Sequence, residues 1–310
     1  MRGFRLAAPA ICLLIAGTVK VHAQSTTRDS VASIVADSVA TISHHHKYSH
    51  FATGMTFQSD DVYLGRKDSA ALPYYTPSVS YFHKSGLYAT ASMSYLKNAT
   101  ASRVDLITLD AGYMFTRGKY AGTFTVSKYF YNTQSTSVTS AIKASADYTN
   151  SYDLGFIKPS FTATLNMGSK TDFAATLGLS HTVELIKDKW EIAPAFNAEA
   201  STQDFYSDYY RNRKYKIKKK KVVVGTGEAA VTGTVLNAST FRVLDYEAAM
   251  PIEYSIGKCT IGFTPTYTMP VHPATLAIHT VKDDGQVNDT IRTEKIANTF
   301  YFTLGVDFLF

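Results

Sequence analysis

From about residue 50 onward the sequence alternates, apolar or aromatic residues taking every second position and small polar residues the positions between. Only an extended backbone repeats every two residues, so the pattern dictates strands. In Phe161 to Met167, Phe161, Ala163, Leu165 and Met167 share one face, while Thr162, Thr164 and Asn166 share the other. Ile261 to Met269 sets Ile261, Phe263, Pro265, Tyr267 and Met269 against Gly262, Thr264, Thr266 and Thr268. Leu87 to Tyr95, Phe173 to Leu185 and Trp190 to Ala200 repeat the pattern. A soluble β-sandwich also alternates, but its solvent face carries Lys and Glu, whereas here the polar face is mostly Ser and Thr. Aromatic residues gather near segment ends (Tyr74, Tyr75, Tyr129, Phe130, Tyr131, Trp190, Tyr254), as membrane interfaces favour. No apolar run after the first residues reaches the roughly eighteen that a membrane helix needs.

The expected strands are 51–58, 74–83, 87–96, 104–116, 119–131, 144–156, 159–167, 172–185, 189–200, 240–255, 259–269 and 297–310. Short connections, at Lys84-Ser85-Gly86, Arg117-Gly118, Lys158-Pro159, Lys187-Asp188 and Ile256-Gly257, occupy every second position. Membrane barrels have short periplasmic turns and longer external loops. The fold expected is therefore all-β, a closed antiparallel transmembrane β-barrel of about twelve strands (ten to fourteen), with both termini periplasmic. One connection fits poorly, since the external one at Gly168-Ser169-Lys170 is short.

Residues 1–23 read as a signal peptide, with Arg2 and Arg5 before an apolar stretch from Leu6 to Gly17 and Val21-His22-Ala23 as the cleavage region. Residues 24–49 form a polar periplasmic segment, in which Val31, Ile34, Val35 and Val39 allow a short amphipathic helix, and the barrel occupies 50–310. His44, His45, His46 and His50 lack a carboxylate in the same run, so a solvated tail is expected rather than a metal site. Cys12 departs with the signal and leaves Cys259 alone, which excludes an intramolecular disulfide. The net charge of +6 misleads. Arg211, Arg213, Lys214, Lys216, Lys218, Lys219, Lys220 and Lys221 form one basic external loop, and without them and the signal the chain is net acidic. A nucleic-acid surface is accordingly not expected.

At the C-terminus Phe300, Phe302, Leu304, Val306, Phe308 and Phe310 face one way, and Thr299, Tyr301, Thr303, Gly305 and Asp307 the other. Thr303, Gly305, Phe308 and the terminal Phe310 resemble the β-signal of bacterial outer-membrane proteins, a polar residue, then Gly, then two hydrophobic or aromatic residues. The resemblance covers about eight residues and implies a Gram-negative outer membrane and the barrel-assembly machinery as a partner during insertion.

The face assigned to the lumen carries Asp110, Asp147, Asp153, Asp172, Glu184, Glu191, Glu199, Asp245, Glu247, Glu253 and Asp307, with few basic residues. Either water and cations fill such a lumen, or the loop at 201–239, with its basic run, folds inward. That loop opens on Asp204, Tyr206, Asp208, Tyr209 and Tyr210. Lys128 and Arg242 fall on the lipid-facing parity near the outer rim, where contact with lipid phosphate or simple snorkelling is expected. His181 lies on the outward face, but Val183 stands where a hydrolase of lipid would need its serine, so no enzyme is expected. No cofactor is expected. The reading is a small porin-like channel for cations or small polar solutes. A structural barrel that binds lipopolysaccharide or a partner through its loops is the alternative, and a lipid-modifying enzyme the least favoured.

Overall fold

A computed structural model describes residues 48–310 except 100, 187–188, 211–227 and 283–285, with backbone alone at 228–232 and 282. The signal segment, His44 to His46, the Lys187-Asp188 turn and the basic run Arg211 to Lys221 lie outside the described residues.

The strands are β1 (His50–Gln58), β2 (Tyr74–Phe82), β3 (Leu87–Lys97), β4 (Ser102–Arg117), β5 (Tyr120–Tyr131), β6 (Ala144–Tyr152), β7 (Lys158–Met167), β8 (Thr171–Ser180), β9 (Val183–Leu185), β10 (Trp190–Ile192) and β11 (Ala195–Ser201). A short helix α1 (Asp204–Tyr209) follows. Then come β12 (Glu228–Val235), β13 (Arg242–Ala249), β14 (Ile252–Ile256), β15 (Cys259–Pro270), β16 (Thr275–Lys282), β17 (Val287–Thr293) and β18 (Thr299–Leu309). β8 with β9, β10 with β11 and β13 with β14 each make one interrupted stave. The result is a closed antiparallel barrel of 12 staves. β18 closes it against β1, with Ala52 opposite Leu309 and Gln58 opposite Thr303. Closure leaves no sheet edge in the wall, so the wall's backbone groups are satisfied without water.

Two of the three stave interruptions fall at proline, which has no N–H to give a ladder. Pro194 parts β10 from β11 and Pro251 parts β13 from β14. Their carbonyls still accept, from His181 N at 3.1 Å and from Ala193 N at 2.9 Å.

The two faces of the wall differ as the alternation requires. Outside stand Met55, Val79, Leu109, Phe124, Leu165, Leu177, Phe263 and Leu304, all exposed. Inside stand Thr56, Thr76, Ser80, Thr90, Thr108, Thr149, Thr162 and Thr303, all buried. Hydroxyls pair across neighbouring staves, Ser80 with Thr90 at 2.9 Å and Thr149 with Thr162 at 3.0 Å. Aromatic pairs sit on the outer surface at both ends. Phe51–Tyr81 (4.9 Å) and Trp190–Tyr254 (4.7 Å) lie at the short-turn end. Phe57–Tyr75 (4.9 Å) and Phe173–Phe241 (5.5 Å) lie at the long-loop end.

The long loops carry structure that the alternation did not announce. β12 from one loop pairs with β16, and β16 with β17, into a three-stranded sheet beyond the barrel rim. α1 belongs to the same assembly, within the loop that follows β11.

Candidate functional site in the barrel interior and at its mouth

Most of the expected lumen carboxylates share the inner face. Asp110 on β4 is buried there beside Asp147 on β6, whose carboxylate accepts from Ser145 Oγ (2.8 Å) and Thr164 Oγ1 (2.6 Å). Glu199 and Asp245 are cross-strand partners, both 0 % exposed. Glu247 follows on the same face and accepts from the Tyr301 hydroxyl at 3.3 Å. Nearer the short turns, Glu191 lies between Glu184 and Glu253 in register across β9, β10 and β14.

Two assignments change. Asp153 lies past the end of β6, in a turn rather than on the lumen wall, because the strand stops at Tyr152. Its Oδ1 accepts from Gly155 N at 2.7 Å, and Gly155 adopts φ +94° there. Arg242 does not keep the lipid-facing parity. A bulge in β13 inserts Leu244, so that Arg242 pairs with Ser201, which is wholly buried on the inner side. An extra residue reverses the facing of everything beyond it. Lys128 stays outside and exposed, its Nζ 5.8 Å above the Phe130 ring. His181 is exposed beyond the end of β8.

A matching bulge in β4 inserts Asp105 opposite the Ser94–Tyr95 step. This wholly buried carboxylate accepts from Tyr74 OH (2.6 Å), Ser135 Oγ (2.6 Å) and Arg103 Nε (2.7 Å). Both bulges lie at the long-loop end, and at each an inward-facing acid stands next to a leucine in sequence. Leu244 and, from the partly buried side, Leu106 join the apolar cluster at the mouth.

That cluster fills the rim from several directions. The loop between β1 and β2 contributes Tyr63 and Leu64, and the segment after β5 contributes Val138 and Ile142. α1 and its C-cap contribute Phe205, Tyr206, Tyr209 and Tyr210, and the outer sheet contributes Val235 and Leu276. The Tyr63 hydroxyl meets Asn166 Nδ2 at 3.0 Å. Asn166 is on β7, diametrically across a twelve-stave barrel from β1, so the β1–β2 loop spans the opening.

Arg66 is the charged centre of this assembly. Its side chain is 0 % exposed and its Nε lies 3.3 Å from Glu294 Oε2. It also donates to Gln203 Oε1 (3.2 Å), Leu64 O (3.2 Å) and His272 O (3.3 Å). The guanidinium sits 5.2 Å from the Tyr206 ring centroid, and the Tyr206 hydroxyl donates to Glu294 Oε1. Burial, reinforced by Glu294, holds the Tyr206 hydroxyl well above its ordinary acidity range.

Asp172 caps α1 from the wall, accepting from Asp204 N and Phe205 N at 2.7 Å each and thereby satisfying helix donors that have no internal partner. Lys170 Nζ then pairs with Asp204 at 2.8 Å. Asp60 binds Lys67 Nζ at 2.6 Å. Beside it, the Asp61 carboxyl is pushed up to about 7, by burial first and by Asp60, Asp105 and Asp68 in addition, against the opposing Ser137 hydroxyl.

Alternation gave no hint of Arg66, Gln203 or Glu294, which lie outside the barrel strands. A usable signal was present, however. Val62-Tyr63-Leu64 is an apolar run inside a loop, and Phe205, Tyr206, Tyr209 and Tyr210 recur at helical spacing.

No protein-family model matches the sequence, and none of the curated proteins is similar to it in sequence. Among solved structures the chain is similar to the NanC porin (TM-score 0.43, 8% identity, covering 83% of this chain and 98% of that one). It is similar as well to the KdgM porin (0.41, 8%, 83% and 98%) and to LpxR from Salmonella typhimurium (0.40, 9%, 83% and 99%). These are likenesses of strand arrangement at low identity.

Proposed function

We propose that the chain is an integral outer-membrane protein, with the short turns and both termini on the periplasmic side, that conducts cations or small polar solutes. The observation that carries this reading is the opposition of the two wall faces. An apolar exterior of this extent belongs in hydrocarbon, and the interior behind it is hydroxylated and acidic. Asp110, Glu191, Glu199, Asp245 and Glu247 are all turned into that interior. Fixed negative charge behind a low-dielectric wall raises the local concentration of cations and repels anions.

Recording from purified protein in planar bilayers tests the reading. Discrete openings whose reversal potential in a KCl gradient lies on the cation side are expected. Anion-selective steps contradict it, and silence favours the second reading.

The second reading is a structural or surface-interaction barrel. It is favoured by the apolar cluster bridging the mouth and by the folded sheet β12–β16–β17 outside the rim. Under it, the loops and Lys128 meet lipopolysaccharide or a partner. A lipid-modifying enzyme is the third reading, tested by the lipid profile of cells that overproduce the protein. In all three, Thr303, Gly305, Phe308 and Phe310 serve as the assembly signal for the insertion machinery, and the run from Arg211 to Lys221 as a basic external loop.

A further inference from the structure

We propose that the β1–β2 loop is the gate of this barrel and that Arg66 is its latch; the conduction half of the proposal rests on the channel reading above. The geometry concentrates at one side chain. Arg66 joins four segments of the mouth: its own loop through Leu64 O, the segment entering α1 through Gln203 and Tyr206, the β15–β16 connection through His272 O, and the β17–β18 connection through Glu294. These segments come from widely separated parts of the chain, and Arg66 contacts each of them. Glu294 is held in place to receive it, since its carboxylate also accepts from Ala274 N at 3.2 Å and from the Tyr206 hydroxyl.

The loop so held lies across the lumen. Tyr63 reaches Asn166 on the opposite wall, and Tyr63 and Arg66 exchange backbone hydrogen bonds of 2.8 and 2.9 Å that fold the intervening Leu64 and Gly65 into a tight turn. Leu64 and Gly65 both take positive φ in that turn, at 49° and 68°. A Cβ on Gly65 would come 2.5 Å from Pro270 Cβ, so the turn is seated directly against the wall. A solute passing the mouth must displace this turn. A buried arginine–carboxylate pair makes a firm lock, because losing either partner leaves the other charge buried and uncompensated. With the latch engaged, the turn stays down. Once it is broken, the loop keeps its apolar contacts and the hydrogen bonds of Tyr63 with Asn166 and of Asp68 with the Tyr209 hydroxyl, but it loses the ion pair that joins it to the β17–β18 connection.

The test combines conductance with hydrogen exchange in the full chain, using Arg66→Gln, Arg66→Lys and Glu294→Gln, each checked for a folded barrel by heat-modifiable electrophoretic mobility. Exchange is read at the Tyr63 and Arg66 amides and conductance in planar bilayers. Arg66→Gln and Glu294→Gln should raise both amide exchange and open probability by about ten-fold or more, with Arg66→Lys between them and the parent. Faster exchange with every variant electrically silent would support the latch and overturn the channel reading. Unchanged exchange and conductance in folded Arg66→Gln and Glu294→Gln would overturn the latch. So would a parent protein that conducts steadily while these amides stay protected.

Discussion

At the scale of single residues, the chemistry of the mouth is set by how buried charges are compensated. Asp105 has three donors, Asp60 has Lys67, and Arg66 has Glu294. Asp61 is less fully compensated, for its Oδ2 is buried without a hydrogen-bond partner among the described residues. Its neighbours are Asp60 and Asp68 on its own loop, Asp105 on β4, Tyr74 on β2, Tyr209 on α1 and Ser137. A carboxyl whose pKa rises from 3.8 to about 7 on folding binds its proton more tightly in the closed mouth. The stability it contributes is therefore present in full below about pH 4 and is lost as pH rises towards 7. Exchange at the Tyr63 and Arg66 amides should accelerate over that interval once intrinsic exchange is divided out. Asp61→Asn should flatten the profile; an unaltered profile in that variant would assign the pH dependence to another group. Leu244 offers a packing test. It is wholly buried at a bulge in the mouth cluster, so Leu244→Ala should cost about 2–5 kcal/mol of local stability. The loss should show as an earlier unfolding step of the mouth, read by near-ultraviolet circular dichroism, with the barrel transition in place.

At the scale of elements, the staves were legible because membrane alternation leaves little freedom. A residue on the wrong face either buries a hydroxyl against lipid or exposes an apolar group to the lumen. Each expected strand corresponds to one stave, with ends differing by a few residues. Alternation failed where the period itself breaks. Leu244 and Asp105 are extra residues, and a bulge carries no compositional mark in this sequence; Arg242 was therefore assigned to the wrong side. Asp153 failed for a different reason, since Gly155 turns the chain sooner than the hydrophobic pattern suggested. β12, β16 and β17 escaped because they lie in connections long enough to read as loops, and β17 is exposed throughout. The outer face supplies its own test. Leu177 is 64 % exposed near the middle of its stave, and Leu177→Arg should destabilise the inserted barrel by about 2–4 kcal/mol, the cost of a cation near mid-bilayer. Equilibrium unfolding in lipid vesicles measures it, and a negligible cost would argue that the position faces water.

At the scale of the whole molecule, two environments meet in one wall and a third structure closes one end. The wall needs only a period of two, which explains how much of it could be read from sequence. The closing structure depends on contacts among segments far apart in the chain, Arg66 with Glu294 and Tyr63 with Asn166, and no local pattern records such pairs. What the sequence did convey about the mouth was the opening of the 201–239 loop by aromatic and acidic residues, and those aromatics are what the cluster uses. The positive charge at its centre comes instead from the first loop. Which face of the wall meets hydrocarbon decides whether this barrel is a membrane protein. A nitroxide scan along β7, one label at each position from Phe161 to Met167 in vesicles, tests this by comparing collisions with oxygen and with a water-soluble nickel chelate. Oxygen contact should peak at 161, 163, 165 and 167 and fall at 162, 164 and 166. An inverted alternation, or none, would contradict the account.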